Sequence, residues 1–285
     1  MESSNPNSHH KQNQMSFLEH LEVLRFILMR IVGVISVLSI AVFTFKEWVF
    51  NVVVFAPLSA TFWTYEKLCT ATHQMNQFVP SLIGADTGCF GELKLQVIAP
   101  KMTTQFMTAL LVAVIGGVIF SFPYIIWEVW RFIKPALYSP EQKKARGIVW
   151  WTSLLFGLGI LFGYYFIAPM SIHFLGNFSI SSQVKNLPSL NSYMGILAST
   201  TLASGIIFEL PILVYFLSKI GLLTPEFMKK YRKHAFVITL LLAAIITPPD
   251  VFSQILICIP IVILYEISIH ISRFVQRQKL KEDQN

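Results

Sequence analysis

Charged residues are scarce in this sequence. Asp, Glu, Lys and Arg make up only 13% of its 285 residues, whereas 54% are hydrophobic and the mean hydropathy is +0.60. A soluble domain carries about 25% charged residues. The composition therefore excludes a soluble globular protein and predicts an integral membrane protein without a separate soluble domain.

A cleavable signal peptide is also missing. The first apolar run starts near Phe26 without a convincing small-residue cleavage site, so we expect it to remain as a helix. The polar stretch before it, MESSNPNSHHKQNQ, is typical of a flexible tail rather than a metal site, despite its two histidines. We expect a disordered cytoplasmic tail over residues 1–15, a membrane core over 16–272 and a basic cytoplasmic tail over 273–285.

Six apolar windows predict six transmembrane helices in an all-α fold. They cover residues 26–45, 105–127, 148–168, 193–218, 235–247 and 251–269. The last two are short, because residues 235–247 rise only roughly 20 Å as a helix and a hydrocarbon core is about 30 Å thick. The long connection over 46–103 is expected to form no more than a cap.

Positive charges are divided unevenly between the two sides of these spans. Of the 22 Lys and Arg residues, 17 fall on the side of the two termini and 5 on the other. Because Lys and Arg accumulate in cytoplasmic loops, both termini are expected in the cytoplasm. The net charge of +7 is then a signal of topology, and no binding of nucleic acid is predicted.

Two features inside the windows are not explained by contact with lipid. Glu209 lies in span four, where a carboxylate is costly and commonly marks function, and Pro211 is expected to kink the helix beside it. The alternative role of Glu209 is a packing hydrogen bond to a neighbouring Ser or Thr. Gly159 and Gly163 form a GxxxG motif in span three, a weak indication of close helix approach.

The outer side carries two further candidates. Asp250 follows the corner formed by Pro248 and Pro249, where it can cap the sixth helix, and Gln254 lies one turn further on.

Cys69 and Cys89 share the first outer loop, so they are predicted to form a disulfide in an oxidising space, or else to remain two free or buried thiols. Cys258 lies in an apolar run and is expected to be inert.

Acidic residues stand in two places on the predicted cytoplasmic side, one in the connection after span two and one on the first helix. Glu141 stands among Lys143, Lys144 and Arg146, after the aromatic and proline-containing stretch WRFIKPALY. This acid either pairs locally or belongs to a shaped surface. Glu22 is three residues before Arg25 on the predicted first helix, so the two share a polar stripe, which is also typical of a solvated helix entry.

Six motifs in this order identify the chain as similar to the TatC family of the twin-arginine protein translocase. They are HLEVLR, FAP, WRFIKPALYSPE, FGYYFIAP, FELP and TPPDVFSQ, and the match extends from about residue 17 to residue 274. The resemblance implies a concave, glove-like bundle of six spans in the bacterial cytoplasmic (inner) membrane, without enzymatic chemistry, cofactor or metal. It implies a homo-oligomeric receptor that binds twin-arginine signal peptides and, with TatA-type and TatB-type single-span partners, exports folded proteins on the proton-motive force.

The resemblance also assigns roles to particular positions. It places the signal-peptide site at Glu22, Arg25, Phe132, Pro135, Tyr138 and Glu141. It makes Glu209 the intramembrane acid, groups Asp250 and Gln254 at the outer corner, and matches Pro57 and Tyr164 to structural positions. One departure is Val23, which stands where the family usually has glutamate, so we expect Glu141 to matter more than Glu22.

Two other functions are compatible with parts of the pattern. A proton-coupled small-molecule transporter would use a buried acid such as Glu209, but it should show internal repeats and discontinuous helices, and no repeat is seen. An intramembrane serine protease would use Ser204 and His270. Their predicted depths differ by roughly 10 Å, whereas a nucleophile and its base need about 3 Å.

Overall fold

The fold is predominantly helical in the part of the chain that the structure describes. This computed structural model describes residues 17–59, 61–78, 96–133, 145–181, 183, 186–246 and 251–282. Its α-helices are α1 (Phe17–Thr44), α2 (Lys46–Trp48), α3 (Trp63–Phe78), α4 (Thr104–Ile133), α5 (Ala145–Phe162), α6 (Ala168–Asn177), α7 (Leu190–Ile207), α8 (Leu210–Lys219), α9 (Pro225–Lys230), α10 (Arg232–Ile246) and α11 (Val251–Glu282). The described ranges contain no β-strand, only an isolated bridge between Ile98 and Ser189.

The distribution of polar and apolar side chains is that of a membrane protein. Large apolar side chains such as Val37 and Ile40 on α1 are 67% exposed, whereas Thr200, Ser268 and Ser272 are completely buried. Apolar side chains that face outward along whole helices are suited to lipid, and buried hydroxyls find partners between helices. The predicted membrane class is therefore confirmed.

Six stretches of helix are long and apolar enough to cross a membrane. Five of them correspond to predicted spans one to four and six: Glu22–Thr44, Thr104–Phe132, Gly147–Asn177, Leu190–Lys219 and Cys258–Gln278. The sixth, Lys46–Ala71, lies in the predicted outer connection, and it is broken into short segments at Phe55 and Ser59. Predicted span five is α10, whose 15 residues rise only roughly 22 Å.

The predicted short fifth span is thus seen in α10. The helix of the predicted sixth span, α11, is longer than its apolar window of residues 251–269. Helix α11 has 32 residues, because its basic end continues beyond the predicted span to Glu282. The two helices are joined near one end by Gln254, whose Nε2 donates to the Leu240 carbonyl oxygen at 3.2 Å. Towards the other end, Arg232 of α10 donates to Glu266 of α11 at 2.6 Å.

Glycine brings the neighbouring spans α5 and α7 into close contact. A Cβ added to Gly159 would lie 2.7 Å from the Ser204 carbonyl oxygen, and one added to Gly163 would lie 2.8 Å from Thr201 Cα. Side chains larger than hydrogen cannot occupy these positions without a shift of the helices. The close approach that the GxxxG motif predicted is confirmed.

The described part of the outer connection forms a cap over the end of the third span. The Tyr65 hydroxyl of α3 donates to the carbonyl oxygens of Pro57 at 3.1 Å and of Pro169 at 3.0 Å. Tyr164 donates to the Val53 carbonyl oxygen at 2.7 Å. Pro57, through its carbonyl oxygen, and Tyr164, through its hydroxyl, therefore both take part in hydrogen bonds of this cap. The structural roles that the resemblance implies for them stay predictions.

Candidate functional site

The predicted signal-peptide residues that the structure describes lie near one end of the first two spans. Glu22 and Arg25 are exposed on the first turns of α1, and Phe132 is half-buried at the end of α4. Pro135, Tyr138 and Glu141 lie outside the described residues. Glu22, Arg25 and Phe132 thus lie towards the same end of α1 and α4. Their part in a signal-peptide site, like that of the loop, stays a prediction.

The packing of α1 against α4 sets the level of these residues. A Cβ on Gly116 would lie 3.1 Å from Val42, and the Glu128 carboxylate lies 3.7 Å from Arg30. Val42, near the end of α1, thus lies beside Gly116 in the first half of α4, and Arg30 of α1 lies beside Glu128 near the end of α4. The two helices are therefore antiparallel. Continuing this register by one to two turns brings Arg25 and Glu22 level with the end of α4, where the connection that is predicted to be cytoplasmic begins.

Glu128 is an acidic residue that the sequence reasoning did not select. It lies in α4 with a side chain that is only 1% exposed, and its Oε1 accepts a hydrogen bond from Tyr124 at 2.9 Å. Arg30, which is 53% exposed, is the cation beside it. The sequence signal is an acid in the apolar run IIWEVW, directly after the predicted window that ends at residue 127.

Glu209 lies at a break in the fourth span. Helix α7 ends at Ile207 and α8 begins at Leu210, with Phe208 and Glu209 in a turn between them. Pro211, in the first turn of α8, lacks the backbone N–H that a continuous helix would use. The predicted distortion beside Glu209 is therefore present, as a two-residue turn in which Phe208 and Glu209 keep right-handed helical dihedral angles.

The carboxylate of Glu209 is incompletely paired. Its Oε1 is buried and has no hydrogen-bond partner within the described residues. A buried acceptor without a donor is costly, and such atoms are rare in folded proteins. The packing hydrogen bond to a neighbouring Ser or Thr, the alternative considered for Glu209, is thus not made by this oxygen.

The outer corner and the cysteines are described in part. Gln254 contacts α10 as given above, whereas Asp250, Pro248 and Pro249 lie outside the described residues. Cys258 is a buried free thiol, as expected. Cys69 of α3 is in the disulfide form. Cys89 lies outside the described residues, so its pairing with Cys69 stays a prediction.

Comparison with known proteins shows which family this architecture represents. A family model described as "Sec-independent protein translocase protein (TatC)" matches residues 19–260, which cover all six predicted spans except the end of the last. The chain belongs to the TatC family. It is therefore a subunit of a Sec-independent protein translocase, with a role in transport and a multi-pass location in a membrane.

Relatives of the TatC family match along nearly the whole chain. A TatC protein of Blattabacterium sp. subsp. Periplaneta americana is 40% identical over 272 residues, which cover 94% of this chain and 99% of the relative. A TatC protein of Desulforapulum autotrophicum is 32% identical over 274 residues, covering 96% and 90%. A crystal structure titled "Twin Arginine Translocase Receptor- TatC" aligns with a TM-score of 0.65 at 29% identity and covers 90% of this chain and 99% of that one.

The TatC fold does not bring together the residues of the two rival functions. Ser204 is buried where α7 contacts Gly163 of α5, and His270 is exposed on α11 with its ring nitrogen 2.9 Å from the Glu266 carbonyl oxygen of its own helix. Within the described residues, no group of three or more His, Cys, Asp or Glu side chains could hold a metal ion. The distortion at Glu209 is a feature that a transporter would share, but the chain matches the TatC family over residues 19–260.

Proposed function

We propose that this chain is the receptor and core subunit of a twin-arginine translocase. It lies in the bacterial cytoplasmic membrane with both termini in the cytoplasm, in agreement with the excess of Lys and Arg on that side. It acts by binding and gating, without enzymatic chemistry. The observation that carries the proposal is the register of α1 and α4, which brings the exposed residues Glu22 and Arg25 level with the start of the first cytoplasmic connection.

Twin-arginine signal peptides bind at this end of the bundle. Two neighbouring guanidinium groups at a membrane surface require carboxylate acceptors, and a charge-assisted hydrogen bond of this kind contributes about 1.5–3 kcal/mol. Glu141 is the principal acceptor, because it belongs to the connection that joins α4 to α5. Phe132, Pro135 and Tyr138 form the aromatic and apolar side of the same site.

Glu209 serves a later step, the engagement of partner helices. A TatA-type or TatB-type helix that packs beside the break between α7 and α8 can offer a polar side chain to the unpaired Oε1. Within lipid, helices associate through close packing and hydrogen bonds rather than through a hydrophobic driving force. The carboxylate therefore marks a place where a single-span partner docks and where the proton-motive force can act on the complex.

The short α10 contributes to the passage of folded cargo. It rises roughly 22 Å, whereas the hydrocarbon core is about 30 Å thick. Lipids next to a short span can thin to match it at a modest cost. Several copies of the chain with their partner helices would extend such a thinned region.

Photo-crosslinking of a twin-arginine signal peptide to the membrane-embedded protein tests the proposal. We expect crosslinks to α1 and to the end of α4, and we expect them to disappear when both arginines of the peptide are replaced by glutamine. Crosslinking that is equally efficient with the glutamine peptide would contradict the proposed receptor role.

A further inference from the structure

Glu128 has an environment that its contacts within the protein do not explain. Its side chain is the only carboxylate that is fully buried among the described residues. Oε1 accepts one hydrogen bond, from Tyr124 at 2.9 Å, and Oε2 is buried without any hydrogen-bond partner. A carboxylate that served only to join helices would be expected to use both oxygens, since each unsatisfied one costs stability.

The contact with Arg30 is an ion pair without a hydrogen bond. Nη1 of Arg30 stands 3.7 Å from Oε1 of Glu128, which is beyond hydrogen-bonding distance, and the Arg30 side chain is 53% exposed. Guanidinium groups bind carboxylates most strongly in a bidentate arrangement that uses both oxygens. Arg30 offsets the charge of the Glu128 carboxylate near Oε1 only, and it does not form the bidentate pair that would include Oε2.

The same contact shows how the buried carboxylate can be reached. A side chain that is half exposed touches Oε1, so an approach from the surface of the bundle exists and is filled by Arg30. This approach lies one helical turn, or about 6 Å, from Phe132, at the end of α4 that carries the proposed signal-peptide site. A second guanidinium group that binds at this end of α4 would therefore lie within about one helical turn of the Glu128 carboxylate.

We propose that Glu128 is an additional acceptor for an arginine side chain of the signal peptide, with Arg30 as its resting counter-ion. The proposal rests on the receptor role given above. When the peptide binds, its guanidinium replaces that of Arg30, so the charge within the site is conserved. The gain is the hydrogen bond to Oε2, which Arg30 does not make, and the released Arg30 side chain turns towards the membrane surface.

Four variants of the full chain in lipid nanodiscs test this exchange, with the Kd of a labelled twin-arginine peptide as the measurement. Glu128→Gln is expected to weaken binding by about tenfold, since it removes one charge-assisted hydrogen bond. Arg30→Gln is expected to tighten binding, because no counter-ion has to be displaced. Arg131→Gln is the matched control, because Arg131 lies at the same end of α4 over the ring of Trp127, whereas the ion pair of Glu128 is with Arg30. The double variant Arg30→Gln/Glu128→Gln should bind as weakly as Glu128→Gln.

The pattern of the variants separates exchange from a structural role. If Arg30→Gln weakens binding as much as Glu128→Gln, the pair only positions α1 and the proposal is wrong. It is also wrong if Arg30→Gln tightens binding no more than Arg131→Gln, or if Glu128→Gln binds normally. Should Arg30→Gln fail to elute as a folded protein, Arg30→Lys replaces it, with a smaller gain expected from the single-point contact of lysine.

A parallel measurement on Glu141→Ala distinguishes this inference from the function on which it rests. Loss of binding by Glu141→Ala together with normal binding by Glu128→Gln overturns the role of Glu128 and leaves the receptor role intact. Normal binding by both variants overturns the proposed site as a whole.

Discussion

Gly159 of α5 lies directly against Ser204 of α7, so close that an added Cβ would stand 2.7 Å from the Ser204 carbonyl oxygen. Gly159→Ala is therefore expected to push the two spans apart and to cost about 1–3 kcal/mol. The thermal midpoint of the purified protein in detergent measures the effect. Gly157→Ala is the control, because nothing lies within 4 Å of its added Cβ, and equal midpoints for the two variants would contradict the prediction.

Glu209→Gln tests whether the carboxylate at the break of span four acts in transport. The amide keeps the shape of the side chain but cannot ionise, so we expect a partial loss of export while binding of the signal peptide persists. Glu209→Leu removes all hydrogen bonding and should cause a severe loss. Export of a folded twin-arginine reporter, at matched protein levels, measures both. Wild-type export by the Gln variant would leave Glu209 with a structural role only.

Glu141→Ala is expected to abolish binding of a twin-arginine peptide while the protein remains folded in the membrane. Glu22→Ala should have a smaller effect, because Val23 occupies the usual acceptor position and Glu22 lies about 100° away around the helix. Crosslinking yield at equal protein levels compares the two. A loss for Glu22→Ala that equals or exceeds that for Glu141→Ala would show that Glu22 is the principal acceptor.

Cys69 and Cys89 are expected to resist alkylation in unreduced cells and to react after a reductant is added. Alkylation is followed in the wild-type chain, and the mass that the reagent adds to the peptide of each cysteine, before and after reduction, is the measurement. Cys258 serves as the internal comparison, since it is a buried thiol that reduction should not change. Reaction of Cys69 or Cys89 without reductant would count against the bridge.

The membrane class and most of the spans could be predicted because their causes are local. Apolar windows reveal spans by length alone, Pro211 favours a distortion in the turn that precedes it, and the small side chains of Gly159 and Gly163 permit close contact wherever a neighbour is available. The sequence predicts that residues 46–71 belong to the outer connection. In the structure, the stretch Lys46–Ala71 is divided into short segments, which agrees with a cap rather than with a continuous span.

The role of Glu128 could not be predicted in the same way. Its meaning depends on Arg30 and Tyr124, and the contact with Arg30 requires the register of α1 against α4. Hydrophobic periodicity shows which faces are apolar but does not fix how far one span slides along another. The orphaned oxygen of Glu209 is similar, since the sequence shows a carboxylate in a span but not whether a neighbouring hydroxyl satisfies it.

The bond from Tyr65 to Pro169 joins residues that are 104 positions apart in the chain. At about 5–20 residues per second, synthesis of the intervening segment takes roughly 5–20 s. Tyr65 is thus synthesised long before Pro169, so this bond cannot form until most of the third span has been made. The cap therefore takes its final shape only after the polypeptide of the first three spans has been synthesised.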